Sequence, residues 1–178
     1  MSADELGATY LGGGSWGTTP AGRAGLTHVD EHGAARMVDV SSKEVTVRTA
    51  RAAGRVTVSA QVVGLLRGDG VPKGDAIAVA RLAGIQGAKR TPDLIPLCHP
   101  IALHGVEVVL QVTDEAVEIE ATVRTADRTG VEMEALTAVA TAALALIDMV
   151  KAVDRQAAIE NVRLLTKTGG RSGDWERA

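Results

Sequence analysis

Asp148 and Lys151 lie three residues apart at the end of the run LALIDMVK, so a helix there would put a carboxylate and an ammonium on one face. Left in water, such a pair is worth only about 0.3–0.5 kcal/mol. Flanked by LALI and MV it could instead enter a partly dry site, where each charge perturbs the other as acid/base catalysis requires. A second cluster is LIPLCHP (94–100), which holds the only cysteine, Cys98, beside His99 and between Pro96 and Pro100. Neighbours in an extended chain point apart, so adjacency does not give Cys98 a base within hydrogen-bond reach. A zinc site would need three or four ligands; there is no second cysteine, and His28, His32 and His104 fall at no ligand spacing. Cys98 could equally be a small buried hydrophobe, and His99 a loop histidine bonded to backbone.

Anion handling is the other theme. KGD (73–75) puts Lys73 just before a helix start, where free amides favour anions. KTGGRSG (167–173) combines Lys167 and Arg171 with three glycines, without the spacing of a P-loop. With Lys43, Arg48 and Lys151 these suggest a site for a multiply charged anion, although a glycine-rich tail is also a common flexible end. Arginines number fourteen against five lysines, Lys43, Lys73, Lys89, Lys151 and Lys167. Either the lysines mark places needing a compact, titratable ammonium, or they are scattered on the surface by chance. Glu132 and Glu134, in TGVEMEAL, sit where a helix dipole favours carboxylates, which alone would explain them.

The elements that must carry these residues follow from periodicity. ARMVDV (35–40) and the stretch 45–58 read as strands or extended arms. A short helix is expected over 59–68, with Ser59 as N-cap and Gly68 as stop, and a longer one over 73–91 starting near Asp75. Its packing stripe would be Ala78, Leu82, Ile85 and Ala88. HGVEVVLQV and AVEIEATVR alternate strictly around a TDE turn and predict a hairpin with one buried face. A long helix over about 131–153 would bury Leu136, Val139, Ala140, Ala143, Leu144 and Ile147, and NVRLLTK (161–167) gives a last strand. The class is α+β, an antiparallel sheet with helices packed on one face. Residues 1–25 read as a flexible extension, 26–174 as one catalytic domain, and 175–178 as a tail.

Composition narrows the partners. The aromatics Tyr10, Trp16 and Trp175 stand near the ends, and no phenylalanine occurs, so the core must be aliphatic and no platform for stacking nucleic-acid bases exists in the body. The net charge of −3 creates no overall basic field for nucleic acid or anionic membrane. The longest apolar run, AALALI, is far short of the ~20 residues that span a bilayer, and no secretory signal pattern opens the chain. A single cysteine suits the reducing cytoplasm.

Together MVDVSSKEVTVRTA (37–50), KGD (73–75), ARLAGIQGAKRTPDLIPLCHPI (80–101), TGVEMEALTAVA (129–140), DMVKAVDR (148–155) and VRLLTKTGGRSGD (162–174) resemble the cyclic pyranopterin monophosphate synthases, the molybdenum cofactor biosynthesis protein C family. The resemblance implies a ferredoxin-like fold and a lyase that converts 3′,8-cyclo-7,8-dihydro-GTP to cyclic pyranopterin monophosphate, releasing pyrophosphate. It implies a homo-hexamer, a trimer of dimers with active sites at subunit interfaces. It requires no cofactor, although Mg²⁺ could accompany the triphosphate. By matching positions it assigns Asp148, Lys73, Lys151 and His99 to catalysis. Leu97, Cys98, His99, Met133, Glu134, Glu132 and Lys167 match substrate-contacting positions, and Lys43, Arg48 and Arg171 would join Lys167 on the triphosphate. All five lysines fall on lysine positions of the pattern. The chain departs from it at Arg128, where the family has lysine, and at Ile147, where it has an aromatic.

Overall fold

The computed structural model describes residues 28, 34–68, 71 and 73–178. The extension read at 1–25 lies outside them. The chain forms two compact units, 1–38 and 39–178. Within the first, the Arg36 amide donates to the His28 carbonyl at 2.9 Å. Of the strand or extended arm expected over 35–40, the structure gives no regular strand at 36–40.

The second unit is built on β1 (Thr46–Thr57), β2 (Gly105–Val112), β3 (Ala116–Asp127), β4 (Ala158–Thr168) and the short β5 (Trp175–Glu176). All neighbours are antiparallel, in the order β2-β3-β1-β4-β5. Helices α1 (Ala60–Arg67), α2 (Ala76–Lys89), α3 (Thr91–Leu94) and α4 (Glu132–Val150) complete it. The first four strands, crossed over through α1–α3 and α4, give the ferredoxin-like α+β arrangement, with β5 added at one edge.

The hairpin behaves as its alternation predicts. Val117, Ile119, Ala121 and Val123 are buried on the helix side of β3, while Glu118 and Arg124 face out. In β1 the inward residues are small: Ala50, Ala52, Gly54 and Val56. A Cβ on Gly54 would sit 2.8 Å from Val139 Cγ1, so this glycine lets α4 lie close on the sheet. On the outer face Arg51 pairs with Glu120 at 2.7 Å.

Helix positions follow the expected limits, but their buried faces are turned in part. Asp75 caps α2, accepting from the Ala78 amide at 2.9 Å. The buried residues of α2 are Ala76, Ala80, Gly84, Gly87 and Ala88, whereas Leu82 is 66 % exposed. The stripe read through Leu82 is therefore corrected to one of alanines and glycines. The cause is α4, which packs so tightly that Gly84 lies against Ala138 and Ala142, and Gly87 against Thr141. Helix α4 buries Val139 and Ala143 as expected, with Ala135, Ala138, Ala142 and Leu146 beside them, but Leu136, Ala140 and Ile147 are half-buried and Leu144 is exposed, contrary to expectation. Arg90 breaks the helical run, and Thr91 and Pro92 open the single turn of α3.

Ser59 caps α1 by backbone conformation, with no side-chain bond. Its amide instead donates to buried Asp154 at 2.7 Å, and the same carboxylate takes the Gln156 amide at 2.8 Å. This ties the start of α1 to the loop after α4. Helix α4 is long and apolar enough to cross a membrane by length and composition, yet it is the central core helix, with half of that window buried inside the fold. The stretch 175–178, read as a tail, carries β5, and the Arg177 amide continues the pairing to Leu165 at 2.8 Å.

Candidate active site

Two clusters of charge stand at opposite ends of α4. At its C-terminal end, Lys151 Nζ meets Asp148 Oδ1 at 2.6 Å, as the three-residue spacing predicts. Lys73, arriving from the loop before α2, donates to Asp148 Oδ2 at 3.1 Å and to the Asp148 carbonyl at 2.6 Å. Lys73 thus also satisfies a carbonyl near the end of α4, where the helix dipole favours a cation. Hydrogen bonds from Lys151 and then Lys73 hold the Asp148 carboxyl below its ordinary range. The cluster is open to solvent in the single chain, with the Asp148 and Lys151 side chains each 59 % exposed. The helix start that KGD suggested as an anion site is occupied by Asp75, so Lys73 acts at α4 instead.

At the other end a cavity of about 150 Å³ is lined by Lys43, Arg48 and Lys167, with Thr49, Thr129 and Glu132. Arg48 Nε donates to the Asp127 carbonyl at 2.8 Å, and Arg128 Nε to the Lys43 carbonyl at 3.0 Å. These bonds clamp the turn before α4 to the two segments that bring Lys43 and Arg48. Arg128, where the family pattern has lysine, therefore holds backbone through a guanidinium nitrogen. Lys167 sits between β1 and β5, in register with Ala50 and Trp175, and its ammonium donates to Ser172 Oγ. Three cations and several hydroxyl and amide donors facing one polar hollow can neutralise a polyphosphate. Arg171 is exposed on the neighbouring turn and is not among the lining residues.

Successive residues opening α4 point different ways. Glu132 faces the cavity, Met133 is exposed, and Glu134 turns into the protein at 3 % exposure. Burial pushes the Glu134 carboxyl up to about 7, with the Glu132 charge adding to this against a backbone hydrogen bond. The PLCHP segment reaches this end too. Leu97, Cys98 and His99 are half-buried in the loop after α3, where the Cys98 amide bonds the Ile95 carbonyl at 3.0 Å. Burial raises the Cys98 thiol above its ordinary value, and the Glu134 charge raises it further, so Cys98 is a poor thiolate. Asp39 lies within electrostatic reach of His99; its carboxyl is lowered chiefly by the Ser41 amide, with the His99 charge contributing.

Sequence reasoning missed Asp39, Thr49, Thr129, Gly169 and Ser172. Ser172 and Gly169 lie inside the glycine-rich segment already singled out, while Asp39 and Thr49 carry no local signal. Among the described residues no cluster of histidine, cysteine, aspartate and glutamate is arranged to hold a metal ion. Glu132 and Asp148 are sixteen residues apart on α4, roughly 24 Å along the axis, or about two helix diameters. Within one chain the cation pocket and the Asp148 cluster therefore face different regions of space.

A ferredoxin-like α+β protein with a cation-lined pocket and a separate lysine–aspartate–lysine cluster is the class that fold and site define. The chain belongs to the MoaC family, which it matches over residues 37–170. It is 70% identical over 159 residues to the cyclic pyranopterin monophosphate synthase of Streptomyces avermitilis, covering 89% of this chain and 94% of that one. The synthase of the same name from Streptomyces coelicolor is 71% identical, over 86% of this chain and 90% of that one. Cyclic pyranopterin monophosphate synthase 2 of Mycobacterium tuberculosis is 61% identical, over 85% and 91%.

Proposed function

We propose that this chain is a lyase that converts 3′,8-cyclo-7,8-dihydro-GTP to cyclic pyranopterin monophosphate and pyrophosphate in molybdenum cofactor biosynthesis. The observation that carries the reading is the 70% identity over nearly the whole chain to a synthase of that name. In the reaction a substrate hydroxyl oxygen bonds to the α-phosphorus, the bond from that phosphorus to the β-bridging oxygen breaks, and pyrophosphate leaves. The hydroxyl proton must go to a base, and rearranging the purine into the pterin needs further proton transfers.

Lys43, Arg48 and Lys167 hold the triphosphate, with Arg171 joining from its turn. Asp148 keeps Lys73 and Lys151 in place as general acid/base groups, and His99 serves in the same role. Leu97, Cys98 and Met133 contact the base; Glu132, which lines the cavity, and Glu134, which is buried, complete the substrate-binding segment. Since the two clusters stand roughly 24 Å apart on α4, a complete site takes its Asp148 half from one subunit and its cation pocket from another. This supports interfacial sites; the assembly we propose is the homo-hexamer, a trimer of dimers, and a covered interface would dry the Asp148 cluster that is open in the single chain. The reading requires no resident cofactor and allows Mg²⁺ to accompany the triphosphate. It places the protein in the cytoplasm, with no nucleic-acid or membrane partner.

The test incubates the protein with the cyclised nucleotide and follows pyrophosphate and the fluorescent oxidised pterin. Wild type should form both, and Asp148→Asn and Lys167→Met should each lose about 100-fold or more. Co-refolding the two inactive variants should restore activity at roughly a quarter of sites, because some interfaces pair two intact halves. Nucleotide bound but unchanged by wild type would refute the synthase reading. No recovery in the mixture would refute the shared site.

A further inference from the structure

The turn Gly169–Asp174 touches both strand-borne cations of the pocket, and its conformation is held from outside the cavity. Gly169, Gly170 and Gly173 all have positive φ, at 83°, 78° and 69°, so the segment has little intrinsic preference for one shape. Gly169 packs on the Val47 carbonyl, and Gly170 lies directly against the Arg48 guanidinium, with no room for a Cβ at either. Ser172 Oγ accepts from Lys167 Nζ. What closes the turn is Asp174, whose Oδ1 accepts from the Gly169 amide at 2.9 Å, together with the Gly173 amide on the Gly170 carbonyl at 3.1 Å. Directly after Asp174, β5 pairs Trp175 with Lys167, and Arg177 Nε donates to the Leu164 carbonyl at 2.6 Å. Asp174 itself is exposed and does not line the cavity.

We propose that Asp174 is a positioning residue for anion binding: by holding the Gly169 amide it fixes the glycine turn that presses on Arg48 and sets Ser172 on Lys167. It acts through those groups and touches no substrate. The inference rests on the reading of this cavity as the polyphosphate site. A second consequence separates it from simple electrostatics. A carboxylate close to an anion pocket should repel the ligand, so if Asp174 acted by charge alone its removal would tighten binding; a positioning role makes removal weaken it.

Pyrophosphate binding to the full chain, measured by titration calorimetry, tests this without turnover. Asp174→Ala should weaken pyrophosphate about 3–10-fold, the value of one lost hydrogen bond. Asp174→Asn, which keeps a carbonyl acceptor for the Gly169 amide, should stay within about 2-fold of wild type. Ser172→Ala removes the link at its other end and should reproduce the loss. In turnover, Asp174→Ala should raise KM with kcat nearly unchanged, because ground state and transition state lose the same grip. Lys167→Met is the control for the pocket. If it leaves pyrophosphate affinity unchanged, the polyphosphate reading of the cavity fails and the inference falls with it. If Lys167→Met weakens binding while Asp174→Ala binds as well as wild type or better, the pocket stands and the positioning role is overturned. An Asp174→Asn variant as impaired as Asp174→Ala, or an unaffected Ser172→Ala, also overturns it.

Discussion

Replacing Glu134 by glutamine should remove a pH dependence of stability that the wild-type chain carries through the neutral range. Glu134 is 3 % exposed, and its carboxyl is raised from 4.5 to about 7, chiefly by burial. A carboxyl raised on folding favours the protonated folded state. Its stabilising contribution is fully present below the unfolded pKa and is lost as pH rises through the folded one. A shift of that size corresponds to about 3 kcal/mol at high pH, of which about 2.5 kcal/mol falls between pH ~5 and ~8. For a chain of this length that is a relative drop in midpoint of about 5–10 °C. Asp39, Asp148 and Asp154 are shifted downward, so they leave this window undisturbed. The assay is thermal unfolding of wild type and Glu134→Gln across the range, compared as a difference at each pH. Any fixed cost of the glutamine amide is an offset that does not vary with pH. Wild type should lose ground steadily against Glu134→Gln as pH rises. A flat difference, or one of opposite sign, would show that Glu134 is not held protonated by burial.

Two further outcomes test the packing and the polar ties of the fold. Gly87→Val should destabilise by about 1–3 kcal/mol, because its first side-chain atom would meet Thr141 on α4; chemical denaturation should show a lower midpoint at unchanged slope. Asp154→Ala should cost about 2–5 kcal/mol at neutral pH, from two charge-assisted bonds to the Ser59 and Gln156 amides. Those bonds lower the Asp154 carboxyl from 3.8, so its contribution is present above that value and the gap from wild type should close as pH falls below it.

The elements were legible where one periodicity ran long enough. The β2–β3 hairpin follows from alternation alone, since one face is buried and the other wet. The limits of α1 and α2 follow from Ser59, Gly68 and Asp75. The buried faces of α2 and α4 keep Ala88, Val139 and Ala143 as expected but are turned away from the leucines, because hydrophobicity was taken as the guide. Here close approach of the two helices selects glycine and alanine for the contact and leaves Leu82 and Leu144 outside. Strand β5 escaped notice because two residues carry no period; its order comes from pairing with β4. Within the site, the Asp148–Lys151 pair was readable from spacing and Lys73 was not, since its approach to α4 is a tertiary contact. That the charged residues divide between the two ends of one helix depends on three-dimensional distance, which no local pattern encodes.

The near absence of aromatic side chains also has an optical consequence. Trp175 is the only aromatic residue among those described, and it stands opposite Lys167 with the Arg177 guanidinium 5.6 Å from its ring centre. A folded interior of alanine, valine and leucine neither absorbs nor emits in the near ultraviolet. In a Trp16→Phe background, excitation at the red edge of the indole band, where Tyr10 does not absorb, would therefore report from a single indole beside the cation-lined pocket.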